Sequence, residues 1–184
     1  MENDGDRLPR RRALRAWTIA AVVLGIVAAD QLTKAWAVSR LADGPIAVIG
    51  DTVDLRLARN PGGAFSLFRT VTPLLAVFAI VVAFFLVRTV RDMRDRPTAI
   101  ALALILGGAL GNLVDRLVRS PGFLRGHVVD FVHVGVWPTF NVADSAITVG
   151  AVLLVVRTVM VGNRETEADS QQGREEHDGT HGER

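Results

Sequence analysis

The chain has 184 residues, 49% of them hydrophobic, with 21 Lys and Arg against 19 Asp and Glu, a formal charge of +2 and no cysteine. At a mean hydropathy of +0.31 it is too apolar and too evenly charged for a nucleic-acid binder, whose basic stripe would dominate the balance. Without cysteine, disulfides, thiolate zinc sites, iron–sulfur clusters and thiol nucleophiles are excluded together, so hydrolytic chemistry has to use oxygen or nitrogen groups.

Four stretches, roughly residues 17–38, 73–90, 98–118 and 143–161, reach the length of about 20 residues that a helix needs to cross a bilayer. The expected fold class is therefore membrane α-helical with four transmembrane helices. The first stretch follows a basic segment, as a cleavable signal peptide would. It lacks a short apolar region ending in a small-residue cleavage site, and Asp30 and Lys34 lie in its helical continuation, so it is read as a retained span. Arg7, Arg10, Arg11, Arg12 and Arg15 precede it, and Arg88, Arg91, Arg94 and Arg96 fill the connection between the second and third spans. The positive-inside rule puts both groups in the cytoplasm. Both termini are then cytoplasmic, and residues 41–72 and 119–139 lie outside.

Residues 1–15 form a basic cytoplasmic tail, and 16–162 the membrane domain. Residues 163–184 hold seven acids against three arginines with few apolar residues, a composition expected to stay disordered. His177 and His181 in that tail are read as solvated.

At the end of the first span, Asp30 and Lys34 are four apart, on one helix face and able to pair. A structural ion pair snorkelling to the outer surface and a site role are both compatible with that spacing. After Gly44-Pro45 the period changes: 46–49 and 53–57 are short runs around Gly50-Asp51-Thr52, and in the second Val53, Leu55 and Leu57 alternate with Asp54 and Arg56. This is a hairpin signal. An outer hairpin with one apolar face would lie on the membrane surface and suit an extended peptide.

Next comes Asn60-Pro61-Gly62-Gly63-Ala64-Phe65-Ser66, a turn that presents a side-chain amide beside exposed backbone N–H groups. The second span has no polar residue before Arg88 and is expected only to pack. In the third, Gly107, Gly108 and Gly111 are read as contact points for neighbouring helices. Asn112, Asp115 and Arg116 follow at three- and four-residue spacing and close its outer end. The run 127–136 has strand composition with Asp130 among Val128, Val129, Phe131 and Val132; such an acid is partly desolvated, which favours its protonated form. The fourth helix opens with Asn141-Val142-Ala143-Asp144-Ser145. Asn141 can be its N-cap and Asp144 the acid that returns the hydrogen bond, an arrangement that would also hold a reactive carboxylate in place.

These residues closely resemble the lipoprotein signal peptidase (signal peptidase II) family of membrane aspartyl peptidases. The resemblance rests on five motifs in order: Asp30-Gln31-Leu32-Thr33-Lys34, Asn60-Pro61-Gly62-Gly63-Ala64-Phe65, Gly107-Gly108-Ala109-Leu110-Gly111-Asn112-Leu113-Val114-Asp115-Arg116, Val129-Asp130-Phe131 and Phe140-Asn141-Val142-Ala143-Asp144-Ser145. Gly63 stands where related sequences often have alanine. The resemblance implies a catalytic dyad of Asp130 and Asp144, with supporting roles for Asp30, Lys34, Asn60, Asn112, Asp115, Arg116 and Asn141. It implies an aspartic endopeptidase of the bacterial plasma membrane, with no metal or other cofactor, active at the outer face. The implied substrate is a prolipoprotein carrying diacylglycerol on the cysteine before which it is cut, drawn from membrane lipid. The implied fold adds a small extracytoplasmic β-platform to the four helices.

Two other classes compete. A small transporter or channel could use Asp30, Lys34, Asp115 and Arg116 as an intramembrane ion relay, which predicts polar residues at mid-helix depth on several spans. A purely structural membrane partner predicts that Asp130 and Asp144 are dispensable. A metal-dependent membrane protease fits less well, because His127 and His133 lack helical ligand spacing and no HExxH occurs.

Overall fold

In hydrocarbon every backbone polar group must be satisfied within its own segment, so long apolar runs become helices. The computed structural model describes residues 7–62, 72–93 and 95–179 and contains α1 (Arg7–Arg40), α2 (Thr72–Asp92), α3 (Arg96–Val118) and α4 (Val142–Gly179). Within them Ala16–Arg40, Thr72–Val90, Arg96–Val118 and Val142–Gly162 are long and apolar enough to cross a membrane. Residues Gly63 to Ser66 of the asparagine–proline turn and residues 1–6 and 180–184 of the tails, with His181, lie outside the described residues.

Helix α4 continues past its apolar part to Gly179, through residues expected from their acidity to be disordered. Charge excludes burial but not helix: Glu, Gln, Arg and Ala are good helix formers, and extending a helix already nucleated costs little. For the same reason α1 begins at Arg7, inside the basic tail.

Helix α3 is the central element, touching α1, α2 and α4. Lipid tails are as apolar as leucine, so helices associate by close packing rather than by burying apolar surface from water. The glycines supply that closeness. A Cβ on Gly107 would meet Ile26 of α1 at 2.9 Å, one on Gly108 would collide with the carbonyl oxygen of Ala143 on α4, and one on Gly111 would meet the Asp30 carboxylate at 2.7 Å. Gly150 of α4 faces the Ala101 carbonyl of α3 at 2.6 Å in the same way. Since backbone cannot yield as a side-chain tip can, Gly108→Ala is expected to force α3 and α4 apart at a cost of about 1–3 kcal/mol. An unchanged melting temperature in detergent would show that the two helices are not held this close.

On α2, Ala76, Ala83 and Val90 are buried at seven-residue spacing, while Leu74, Val77, Phe78, Phe84 and Phe85 are exposed. This is a helix with one narrow packed stripe and a broad face for lipid, in keeping with the apolar run from Pro73 to Val87.

The expected hairpin forms, with β1 (Ile46–Ile49) and β2 (Val53–Asn60), and β3 (Val128–Val134) completes an antiparallel sheet in the order β1-β2-β3. Its core contact is with α1, where Ala37 and Leu41 pack with Phe131, Leu55 and Leu57. Between β2 and β3, Leu55 pairs with Val132 but Ala58 pairs with Asp130, so β2 carries one extra residue in a bulge. The bulge reverses the alternation of β2. Strict alternation would put Asn60 with Asp54 and Arg56, on the face opposite Leu55. Instead Ala58, and with it Asn60 two residues on, shares the face of Asp130.

Beyond β3 the chain turns at Gly135 (φ 52°) and folds back: Phe140 exchanges backbone hydrogen bonds with Val132 (2.9 Å each way). This return leaves Asn141 beside β3 just as α4 begins.

Candidate active site

The spacing of Asp30 and Lys34 does produce an ion pair, Nζ to Oδ2 at 2.8 Å, with both side chains fully buried. Lys34 does not snorkel. Its ammonium has three donors, and three acceptors meet it: Asp30 Oδ2, Asp115 Oδ2 at 2.9 Å and Asn112 Oδ1 at 2.9 Å. The remaining oxygens are also engaged. Asp30 Oδ1 accepts the backbone N–H of Ala143 (3.0 Å), and Asp115 accepts Arg119 Nε (2.6 Å) and the N–H of Val129 (3.0 Å). Gln31 Nε2 donates towards Asp30, Asp115 and the Gly111 carbonyl. Two carboxylates and two cations thus offset one another, the condition under which burying charge is tolerable, and the cluster ties α1, α3, α4 and β3 into one body.

Asp130 and Asp144 lie next to this cluster, and three asparagine amides surround them. Asn141 Nδ2 donates to Asp130 Oδ1 (2.6 Å) and Asn60 Nδ2 to Asp130 Oδ2 (3.2 Å). Asn112 Nδ2 donates to Asp144 Oδ1 (2.8 Å), and the N–H of Asn141 to Asp144 Oδ2 (3.3 Å). Asn141 Oδ1 in turn accepts the Asp144 N–H (2.9 Å), the reciprocal cap expected at the start of α4. Capping and site geometry are therefore the same contacts, and Asn141 bridges the two acids.

Each amide is oriented by a partner that can only donate. Asn60 Oδ1 accepts the N–H of Gly62 (3.0 Å), Asn141 Oδ1 that of Asp144, and Asn112 Oδ1 the Lys34 ammonium. The NH2 end of all three must then face the acids.

Asp130 is only 3% exposed. Burial pushes its carboxyl up to about 6, and the Asp144 charge pushes the same way, against hydrogen bonds from Asn60 and Asn141 that favour the carboxylate. Arg116 donates Nη1 to the Asn112 carbonyl (3.1 Å), and its buried Nε has no hydrogen-bond partner among the described residues. Chemically, the arrangement offers two carboxyl groups able to share a proton, held by amides that do not titrate.

Apart from Arg116, the expected site residues thus fall into two groups. Asn60, Asn112, Asp130, Asn141 and Asp144 are joined by direct hydrogen bonds. Asp30, Lys34 and Asp115 stand behind them and meet them through Asn112 and the backbones of Val129 and Ala143. Arg116 is held against the Asn112 backbone. Two members of the network escape a reading of the sequence: Gln31, and Arg119, whose four-residue spacing from Asp115 was the available signal.

Residues 22–160, which include every residue of this network, match the family described as signal peptidase (SPase) II. The chain is 54% identical over 151 residues to the lipoprotein signal peptidase of Rhodococcus jostii (strain RHA1), covering 82% of this chain and 75% of that one. It is 46% identical over 169 residues to that of Mycobacterium leprae (strain Br4923), covering 88% and 83%. Two solved structures described as bacterial membrane enzymes superpose with TM-scores of 0.66 and 0.64 at 25% and 28% identity. They cover 78% and 77% of this chain and are themselves covered to 88% and 92%.

Proposed function

The chain belongs to the signal peptidase II family, the lipoprotein signal peptidases, and from that premise we propose that it is an aspartic endopeptidase acting on diacylglyceryl-modified bacterial prolipoproteins. It removes their signal peptides by cutting just before the lipidated cysteine. The observation that carries this reading is the bridge between Asp130 and Asp144 through Asn141.

Peptide hydrolysis by two carboxyl groups needs one proton between them. Asp130, whose buried carboxyl holds its proton up to about pH 6, hydrogen-bonds the scissile carbonyl oxygen and later protonates the leaving amine. Asp144 takes a proton from water as the water attacks. Asn60, Asn112 and Asn141 fix the two acids without exchanging protons with them. Arg116, next to the acids and always charged, positions substrate or dyad rather than transferring a proton.

All these groups sit at the Arg40, Val118 and Val142 ends of the spans, opposite the arginines around the α2–α3 connection. The positive-inside rule therefore puts the site at the outer face of the plasma membrane and both termini in the cytoplasm. A transporter or channel is not supported: the ionic residues gather at one end of the bundle, and Asp30, Lys34, Asp115 and Arg119 neutralise one another.

The test is cleavage of a lipidated and an unlipidated prolipoprotein by purified protein, with and without chelator, followed by gel shift. Only the lipidated substrate should be cut, and chelator should not matter; equal cutting of both forms would remove the lipid from the proposal. A second expectation concerns pH. Because deprotonation of Asp130 ends activity, the profile should fall on its alkaline side near pH 6, as an apparent value of the coupled pair. The Asn60 hydrogen bond favours the Asp130 carboxylate, so Asn60→Ala should move that limb upward, by up to about one unit for a hydrogen bond of roughly 1.4 kcal/mol. A limb that stays put or moves down would remove Asp130 from the acid role.

A further inference from the structure

Lys34 touches neither Asp130 nor Asp144 through any contact among the described residues, yet it reaches the second of them through a single amide. We infer that Lys34 is a positioning residue of the reaction: its ammonium sets which way the Asn112 side chain points, and so keeps Asp144 facing a donor. The inference rests on Asp144 being the acid that takes the proton from water.

An ammonium cannot accept a hydrogen bond, so the end of Asn112 that meets Lys34 Nζ at 2.9 Å has to be Oδ1. Asn141 Nδ2, at 3.2 Å from the same oxygen, adds a second donor. The NH2 end is left for Asp144 Oδ1 at 2.8 Å. A flipped Asn112 would set its carbonyl oxygen against Asp144, a contact that only a protonated carboxyl can satisfy. The group meant to receive the proton of water would then already hold one.

The surroundings of Lys34 suit this task. Asp30 and Asp115 flank the ammonium at 2.8 and 2.9 Å with all three side chains at 0% exposure, so the charge is held in one place. Asp30 is itself fixed by the N–H of Ala143, the residue before Asp144, and its carboxylate fills the space where a side chain on Gly111 would sit. One buried cluster therefore anchors both the start of α4 and the amide that orients the acid on it.

Removing Lys34 alone would leave two buried carboxylates against one cation, Arg119, so the test uses the charge-balanced pair Asp30→Asn/Lys34→Met, compared with Asn112→Ala and with the three changes combined. Cleavage of a diacylglyceryl prolipoprotein and the melting temperature are measured in detergent for each. Asn112→Ala should lower kcat by about 10- to 100-fold, the scale of one hydrogen bond to a charged group, with KM changed little. The charge-balanced pair should lose a similar factor, and the combination should lose no more than about 3-fold beyond Asn112→Ala, since Lys34 acts through an amide already gone. Losses that multiply, or a folded charge-balanced protein with wild-type kcat, would overturn the inference. Should that pair fail to fold, Asn112→Asp decides: it keeps an oxygen towards Lys34 but removes the donor to Asp144. It should lose at least as much kcat as Asn112→Ala; wild-type activity there would overturn the inference. Failure of the underlying reading looks different, because Asp144→Asn would then still cleave.

Discussion

Asp130→Asn and Asp144→Asn should each lower prolipoprotein cleavage by at least about 10³-fold, within the range that positioned acid–base groups contribute. An amide can neither deliver the proton to the leaving amine nor take one from water. The change is close to isosteric but not silent in the network. Both oxygens of Asp130 accept N–H groups, from Asn141 and Asn60, and both oxygens of Asp144 do so, from Asn112 and the Asn141 backbone. An asparagine can satisfy only one donor of each pair, and its own NH2 faces the other. A modest loss of stability, about 1–3 kcal/mol for a donor left without an acceptor, should accompany the loss of activity. The melting temperature of each variant must therefore be read beside its rate. A folded variant that retains cleavage would place the reacting acids elsewhere and revive the view of this protein as a structural partner.

The largest stability effect is expected at a residue that performs no chemistry. Asp115→Ala should cost about 3–5 kcal/mol, the range for breaking a buried ion pair by removing one partner. Asp115 is the shared acceptor of Lys34 (2.9 Å), Arg119 (2.6 Å) and the N–H of Val129 (3.0 Å). Its removal leaves two cations balanced by Asp30 alone and frees β3 from α3 next to Asp130. Loss of monodisperse protein in detergent, or a steep fall in melting temperature, is the expected result. Asp54→Ala provides the contrast: Asp54 pairs with Arg56, which is about half exposed at 48%, and solvent screens such a pair. Its melting temperature should match wild type. Equal effects of the two substitutions would mean that the buried cluster is not what holds this end of the bundle together.

Much of this architecture is written locally. The four spans follow from apolar length, the hairpin from a change of period at Gly50-Asp51-Thr52, and the Asn141–Asp144 cap from residues three apart. The Asp30–Lys34 pair follows from four-residue spacing on one helix. Local patterns can be read because backbone geometry alone brings their members together. The run of α4 as far as Gly179 was not legible in the acidic tail, because composition reports what can be buried and not what can continue a helix.

Other features could not be read that way. Alternation along 53–57 places Asn60 on the wrong side of β2, and only the bulge between Leu55 and Ala58, seen in the pairing with β3, turns it towards Asp130. Spacing gave Asp115 a place beside Asn112 and Arg116, but not its partner Lys34 from another helix, which it shares with Asn112. The sequence by itself determined the family, the four spans and the acids available for chemistry, since each depends on residue type and short spacing. Only the tertiary structure decided which acids share donors, which way three amides point and why a lysine is buried among them. Those outcomes depend on strand register and on helices meeting across 11 to 113 residues of chain, and no local rule carries that information.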